Sequence, residues 1–137
     1  LGWLLCEVDC HPVGFAHLTE NRLAPKDLFS VEFQLYVARE WQRKGVGAAL
    51  WSLMRDIMEE GDRRRVLAYF NRENAAAQGF FSAMGFTPQA GGNEAVAMYY
   101  SLSPRDPEAE RPTKPYLIDK FVYEAARERA AGLVRAQ

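Results

Sequence analysis

Apolar and polar positions alternate in two short runs near the start of the chain, Trp3 to Asp9 and Val13 to Leu18. Both are rich in β-forming side chains. Cys10, His11 and Pro12 separate them, which predicts an antiparallel hairpin. Thr19 to Asp27 is polar, contains a proline and reads as a loop. A third strand is predicted over Phe29 to Val37. After a polar stretch, Leu50, Leu53, Met54, Ile57 and Met58 recur at helical spacing, so a helix is expected from about Val46 to Glu60, stopped by Gly61 in a left-handed cap. Val66 to Phe70 is nearly continuous in apolar residues, as expected of a strand covered on both faces. Strand, helix and strand in that order imply a right-handed parallel crossover.

A second crossover is expected because Asn74 can cap a helix running through Ala75, Ala77, Phe80, Phe81 and Met84 and ended by Gly85. Phe86 to Gln89 and Ala95 to Leu102 read as strands around a Gly91-Gly92-Asn93 turn. The prolines and alternating charges of Ser103 to Pro115 suggest a linker or an extended arm. From Tyr116, the residues Leu117, Ile118, Phe121, Val122 and Ala125 share one helical face, so a final amphipathic helix is expected to cover something. The expected organisation is a core over 1–102, a proline-rich linker over 103–115 and a C-terminal helix over 116–137, in a mixed α/β (α+β) fold.

At 137 residues, 48% hydrophobic and 26% charged, the chain suits a single globular domain with its own core. A net charge of -1 argues against a broad basic face for nucleic acid. No apolar run is long enough to cross a bilayer and no leader pattern precedes the hairpin, so a non-membrane, cytoplasmic protein is expected. Leu1 in place of Met suggests a trimmed chain. If Cys6 and Cys10 lay on one strand, their Cα atoms would be about 13 Å apart, too far for a disulfide. Both are expected as small, reduced core residues. With His11 nearby a metal could be imagined, but a fourth ligand at sensible spacing is missing, and no metal is expected.

The stretch Gln42-Arg43-Lys44-Gly45-Val46-Gly47 joins the third strand to the first helix. A helix start carries unpaired N–H groups and a partial positive charge, and glycines let a phosphate approach the backbone. The stretch reads as an anion cradle, and a diphosphate ligand is the natural expectation.

Following that cradle by one strand, the pattern Asn74-x-x-Ala77-x-x-Phe80-Phe81-x-x-x-Gly85-Phe86 appears. Together with the hairpin and the Q-x-x-G-x-G loop it closely resembles the GNAT acetyltransferase superfamily over roughly Trp3 to Leu102. The resemblance implies a mainly antiparallel sheet with a central splayed strand pair and crossover helices. It also implies acetyl-CoA as cosubstrate, its pyrophosphate held by the backbone of Arg43, Lys44, Gly45, Val46, Gly47 and Ala48 beside Gln42. Leu35, Tyr36 and Val37 would pair with the pantetheine arm, and Asn74 would contact it. The reaction implied is N-acetyl transfer to a small-molecule or peptide amine, with a catalytically idle acyl-CoA-binding domain as the alternative.

Where the family often has a tyrosine acid, this chain has Phe81, which can pack on the arm but cannot donate a proton. Tyr36, Tyr69, Tyr99 and Tyr100 are conceivable substitutes. Glu32 is the candidate base, with His17 second. Alternation places Glu32 opposite Val37, so it would be a solvated strand residue if the cleft lay on the Val37 face. Arg39, Arg43 and Lys44 are expected near the phosphates, the Arg63-Arg64-Arg65 triplet as a solvated turn, and Trp41 and Trp51 as packing or rim residues. The resemblance implies a strand and two helices ahead of the hairpin in complete relatives, and the expectation is that this chain lacks them. The C-terminal helix is expected to cover the sheet face they would wall, or that of a neighbouring chain in a homodimer.

Overall fold

The computed structural model describes residues 2–21, 26–89, 95–112 and 120–134. The opening hairpin forms as expected but with a tighter turn: β1 (Gly2–Val8) and β2 (His11–Glu20) are joined by Asp9 and Cys10 alone. Both turn residues have positive φ, 51° and 65°, as a two-residue hairpin whose twist matches its strands requires. Cys10 is therefore exposed in a turn rather than a core residue, while Cys6 is half-buried and its thiol is pushed up from the usual range by desolvation. Pro12 lies within β2, beside a register shift between Cys6 and Glu7 that accommodates its missing N–H.

The chain continues through β3 (Ser30–Val37), α1 (Val46–Glu60), β4 (Arg65–Asn71), α2 (Ala75–Ala83), β5 (Thr87–Pro88), β6 (Ala95–Ser101) and α3 (Lys120–Ala131). The strands form one sheet in the order β1-β2-β3-β4-β6-β5, antiparallel except for β3 with β4. One face carries Ala16, Leu18, Val31, Phe33, Val66, Ala68 and Met98. Against it α1 buries Val46, Leu50, Trp51, Met54 and Met58. Trp51 is the hub, its ring 5.3 Å from Phe33, 4.9 Å from Phe86 and 5.1 Å from Tyr100. Residues 90–94, with the expected Gly91-Gly92-Asn93 turn, and 113–119, with Leu117 and Ile118, lie outside the described residues.

Three expectations change at the ends of the helices. Gly61 stops α1 but with φ -83°; the left-handed residue is Asp62, φ 63°. Aspartate tolerates that conformation better than most residues, and here its buried carboxylate accepts from Arg105 Nη2 at 3.2 Å and from the Asp106 backbone N–H at 2.7 Å. The arm over Ser103 to Ala109 is consequently tied down, with Ser103 N donating to Glu59 and Arg64 to the carbonyls of Pro107 and Ala109. The arginine triplet is not a solvated turn. Arg63 is buried and donates to the Leu28 carbonyl, and burial pushes its pKa below the usual guanidinium value despite Glu20. Arg64 stacks over Phe29 and Arg65 over Tyr99.

The final helix buries Ala126 and Ala130, not Ala125, and packs with Tyr123 and Val134 on Ala49, Leu53 and Ile57 of α1 and on Leu4 of β1. Its described side chains cover α1, while the side chains of Phe121 and Val122 lie outside the described residues. Two alanines one turn apart let the helix axes approach closely. The opposite sheet face keeps Trp3 67% and Tyr36 57% exposed. Its rings form a stripe, with Trp3 stacked on His17 at 4.1 Å and Phe15 on Tyr36 at 5.5 Å.

Candidate functional site

The ladder between β3 and β4 has three rungs only, Ser30 with Arg65, Val31 with Val66 and Glu32 with Leu67. Beyond Glu32 the strands part. β3 remains paired on its other side through Leu35 with Ala16, Tyr36 with Phe15 and Val37 with Gly14, so its edge toward β4 is left without a strand. This is the splayed pair, and it leaves a slot in the sheet beside the β3 backbone over Leu35 to Val37.

At the mouth of the slot the chain turns sharply into α1. Ala38 N donates to Val13 O at 2.8 Å, and Gln42 Nε2 donates to Val37 O at 3.2 Å, which fastens the loop to the end of β3. Arg43 and Gly45 both have positive φ, 64° and 86°. Gly45 is the N-cap of α1, and no side chain caps that end. The first N–H groups of the helix are thereby left to other acceptors. Arg39 and Arg43 are exposed around this turn, while Lys44 Nζ lies 5.2 Å from the Trp41 ring centre.

Two further glycines set how closely the pieces meet. A Cβ on Gly14 would stand 2.9 Å from Tyr36 O and 3.0 Å from Val46 Cγ1, so this glycine lets the start of α1 press onto β2. A Cβ on Gly47 would stand 2.9 Å from Phe80 Cε1 and 3.3 Å from Leu35 Cδ2. Phe80 thus bridges α2 to the loop. A glycine inside a strand pattern is a readable sign of close approach, and Gly14 could have been singled out from the sequence on that ground.

Asn74 caps α2, its Oδ1 accepting from Ala77 N at 3.0 Å, while the residue itself stays exposed. Phe81 is only 7% exposed. Its ring meets Phe33, Phe70, Phe80 and Phe86, and no proton donor is present at that position. Tyr100 packs on the helix-covered face against Trp51, whereas Tyr36 and Tyr99 lie on the open face with Arg65 over Tyr99. Alternation puts Tyr69 on that face too.

Glu32 keeps the face opposite Val37 but is 2% exposed, not solvated. It sits where β2, β3 and β4 are all still joined, between Thr19 and Leu67. Thr19 Oγ1 donates to Glu32 Oε2 at 3.5 Å. His17, two rungs along β2, donates from Nδ1 to Gln34 Oε1 at 3.3 Å. Among the described residues no group of three His, Cys, Asp or Glu is placed to hold a metal ion, and no helix is long and apolar enough to cross a membrane.

A mainly antiparallel sheet parted at one parallel strand pair, with an uncapped helix start at the opening, is the architecture of the GNAT N-acetyltransferases. The acetyltransferase (GNAT) family model matches residues 1–86, and the chain belongs to that family. No curated protein sequence matches it. Solved structures share the fold. PaiA N-acetyltransferase from Thermoplasma acidophilum, in complex with coenzyme A, is 21% identical with a TM-score of 0.64 over 72% of this chain and 59% of its own. A phosphinothricin acetyltransferase from Sinorhizobium meliloti, in complex with acetyl-CoA, is 20% identical with a TM-score of 0.67 over 82% and 65%. YncA from Salmonella typhimurium, a putative acetyltransferase with its cofactor acetyl-CoA, is 24% identical with a TM-score of 0.66 over 79% and 68%. The chain therefore spans about three fifths to two thirds of the length of these proteins.

Proposed function

We propose that the chain binds acetyl-CoA and transfers its acetyl group to a primary amine by direct attack. The observation that carries this reading is the strand-free edge of β3 beyond Glu32, opening beside an α1 start that no side chain caps. The site suits the coenzyme in shape and charge. Backbone N–H groups from Arg43 to Ala48 would hold the pyrophosphate with help from Arg39, Arg43 and Lys44, and Gln42 holds their loop to Val37. The free edge over Leu35 to Val37 would pair with the extended pantetheine arm, and Asn74 would meet it from the start of α2.

Bound acetyl-CoA supplies an activated thioester carbonyl and a thiolate leaving group. The amine nitrogen forms the new C–N bond, the C–S bond breaks, and the ammonium proton must leave. A backbone N–H near Val37 would stabilise the oxyanion without any side chain. Glu32 projects from the face of β3 opposite Leu35 and Val37 and is buried, so the proton would reach it through water; it is the acceptor we assign, with His17 as the alternative on the neighbouring strand. Since a thiol leaving group has a pKa near 8.5, the absence of an acid at Phe81 costs on the order of a hundredfold in rate without abolishing turnover.

The burial of Phe81 among four rings favours one other reading, a coenzyme-binding domain that performs no transfer. Thermal melting followed by a free-thiol assay separates the readings. Millimolar acetyl-CoA should raise the melting temperature by mass action; no shift would remove both. Thiol release over small amines, polyamines and peptide amino termini supports transfer, and silence across that panel supports the idle domain.

A further inference from the structure

Positive and negative side chains are segregated around the slot. The strands β1, β2 and β3 carry no lysine or arginine, only the carboxylates Glu7, Glu20 and Glu32, while Arg39, Arg43 and Lys44 gather at the cradle. On the open face the same three strands present a row of rings. Trp3 meets Phe15 with centroids 5.6 Å apart, and Phe15 stacks on Tyr36 at 5.5 Å with the planes 24° from each other. Phe15 is the register partner of Tyr36 on β2, so it takes the ring face on that flank. The other flank is the β3 edge that β4 has left. Tyr36 is 57% exposed, and among the described residues no second ring, cation or side-chain hydrogen bond meets its phenol. The free face of this ring therefore looks across the slot, beside the backbone that would hold the thioester arm.

We propose that this free face of Tyr36 receives the ammonium of the acceptor and selects amines that carry no carboxylate. The proposal rests on the acetyl-transfer reading given above. The face of an aromatic ring is its negative side and attracts a cation. Phe15, with Trp3 behind it, fixes the ring from the other side, so the receiving face is already in place when the amine arrives. Strands that hold carboxylates and no lysine or arginine favour a positive acceptor and repel an acid group beside its nitrogen. Glu32 lies on the same face of β3, two alternations from Tyr36. An ammonium on the ring is therefore on the side of the strand toward which its proton is to leave.

Two measurements test this. The first is the dissociation constant of tetramethylammonium, a cation that donates no hydrogen bond and takes no acetyl group, for the protein saturated with coenzyme A. The second is thiol release with isopentylamine against leucine, which differ by one carboxylate. Binding by Tyr36→Phe within about twofold of the parent, and by Tyr36→Leu at least about fivefold weaker, is expected of a cation on a ring face. Isopentylamine should be used at least about tenfold better than leucine, a margin that repulsion between like charges near a protein surface can supply. Should Tyr36→Leu fail to fold, Tyr36→Thr replaces it. No binding by the parent, binding unaffected by loss of the ring, or leucine used as well as isopentylamine overturns the proposal, and acetyl transfer stands as long as thiol is released. Ring-dependent binding without thiol release from any amine keeps the ammonium site and overturns transfer.

Discussion

Phe81 lies nearly parallel to Phe70, with ring centroids 5.8 Å apart and planes 14° from each other, so a helix side chain braces β4 where it has parted from β3. The splay is held by aromatic packing, not left as a gap. Phe81→Ala should cost about 3–5 kcal/mol in urea unfolding. Phe81→Tyr should cost about 1–3 kcal/mol, because the four surrounding rings offer a buried hydroxyl no acceptor. A Phe81→Tyr protein as stable as the parent would show that the ring edge reaches water or a polar wall.

Gly14→Val probes the seating of α1. Its side chain would meet the Tyr36 carbonyl and Val46, neither of which can yield without moving backbone. We expect a loss of about 1–3 kcal/mol in stability, together with weaker acetyl-CoA binding as the helix start lifts from the sheet. Gly47→Ala meets instead the edge of the Phe80 ring, which can turn. It should lower acetyl-CoA affinity with a smaller effect on melting.

Asp62→Ala removes the acceptor for Arg105 Nη2 and Asp106 N while keeping a residue with φ 63°. A loss of about 1–3 kcal/mol is expected. Asp62→Gly loses the same bonds but relieves the backbone, so it should fall between parent and alanine variant. Equal losses would mean that the conformation at 62 carries no cost.

The Cys6 thiol is raised by burial, so the folded chain holds that proton more tightly than the unfolded chain. Its contribution to stability is complete below the ordinary thiol pKa and is lost as pH rises through the higher folded value. Denaturation midpoints should therefore fall from about pH 8.5 upward, and Cys6→Ser should flatten that limb. With limiting maleimide, exposed Cys10 should label before half-buried Cys6.

Trp51 is buried at the centre of the core, yet its Nε1 has no hydrogen-bond partner among the described residues. Trp51→Phe removes that N–H along with some volume and should cost well under the roughly 3–5 kcal/mol expected for Trp51→Ala. A comparable loss for both would reveal a bond to the indole.

The bounds of α1 were legible because Leu50, Leu53, Met54, Ile57 and Met58 repeat at 3.6-residue spacing between glycines. Alternation placed Glu32 on its face correctly, but its burial, beside neighbours Thr19 and Leu67 from two other strands, is something no local pattern records. Ala125 and Ala126 are the same residue type, so the sequence offers no contrast by which to choose the buried one. Asp62 takes its left-handed turn because of partners at 105 and 106, far along the chain.

The three-rung ladder also makes β3 an unusual edge. An unpaired strand edge ordinarily invites another chain to add to the sheet, but this one lies in the interior of the sheet, between β2 and β4. What such an edge pairs with is an extended chain, peptide-like and with its own hydrogen-bonding groups along its length.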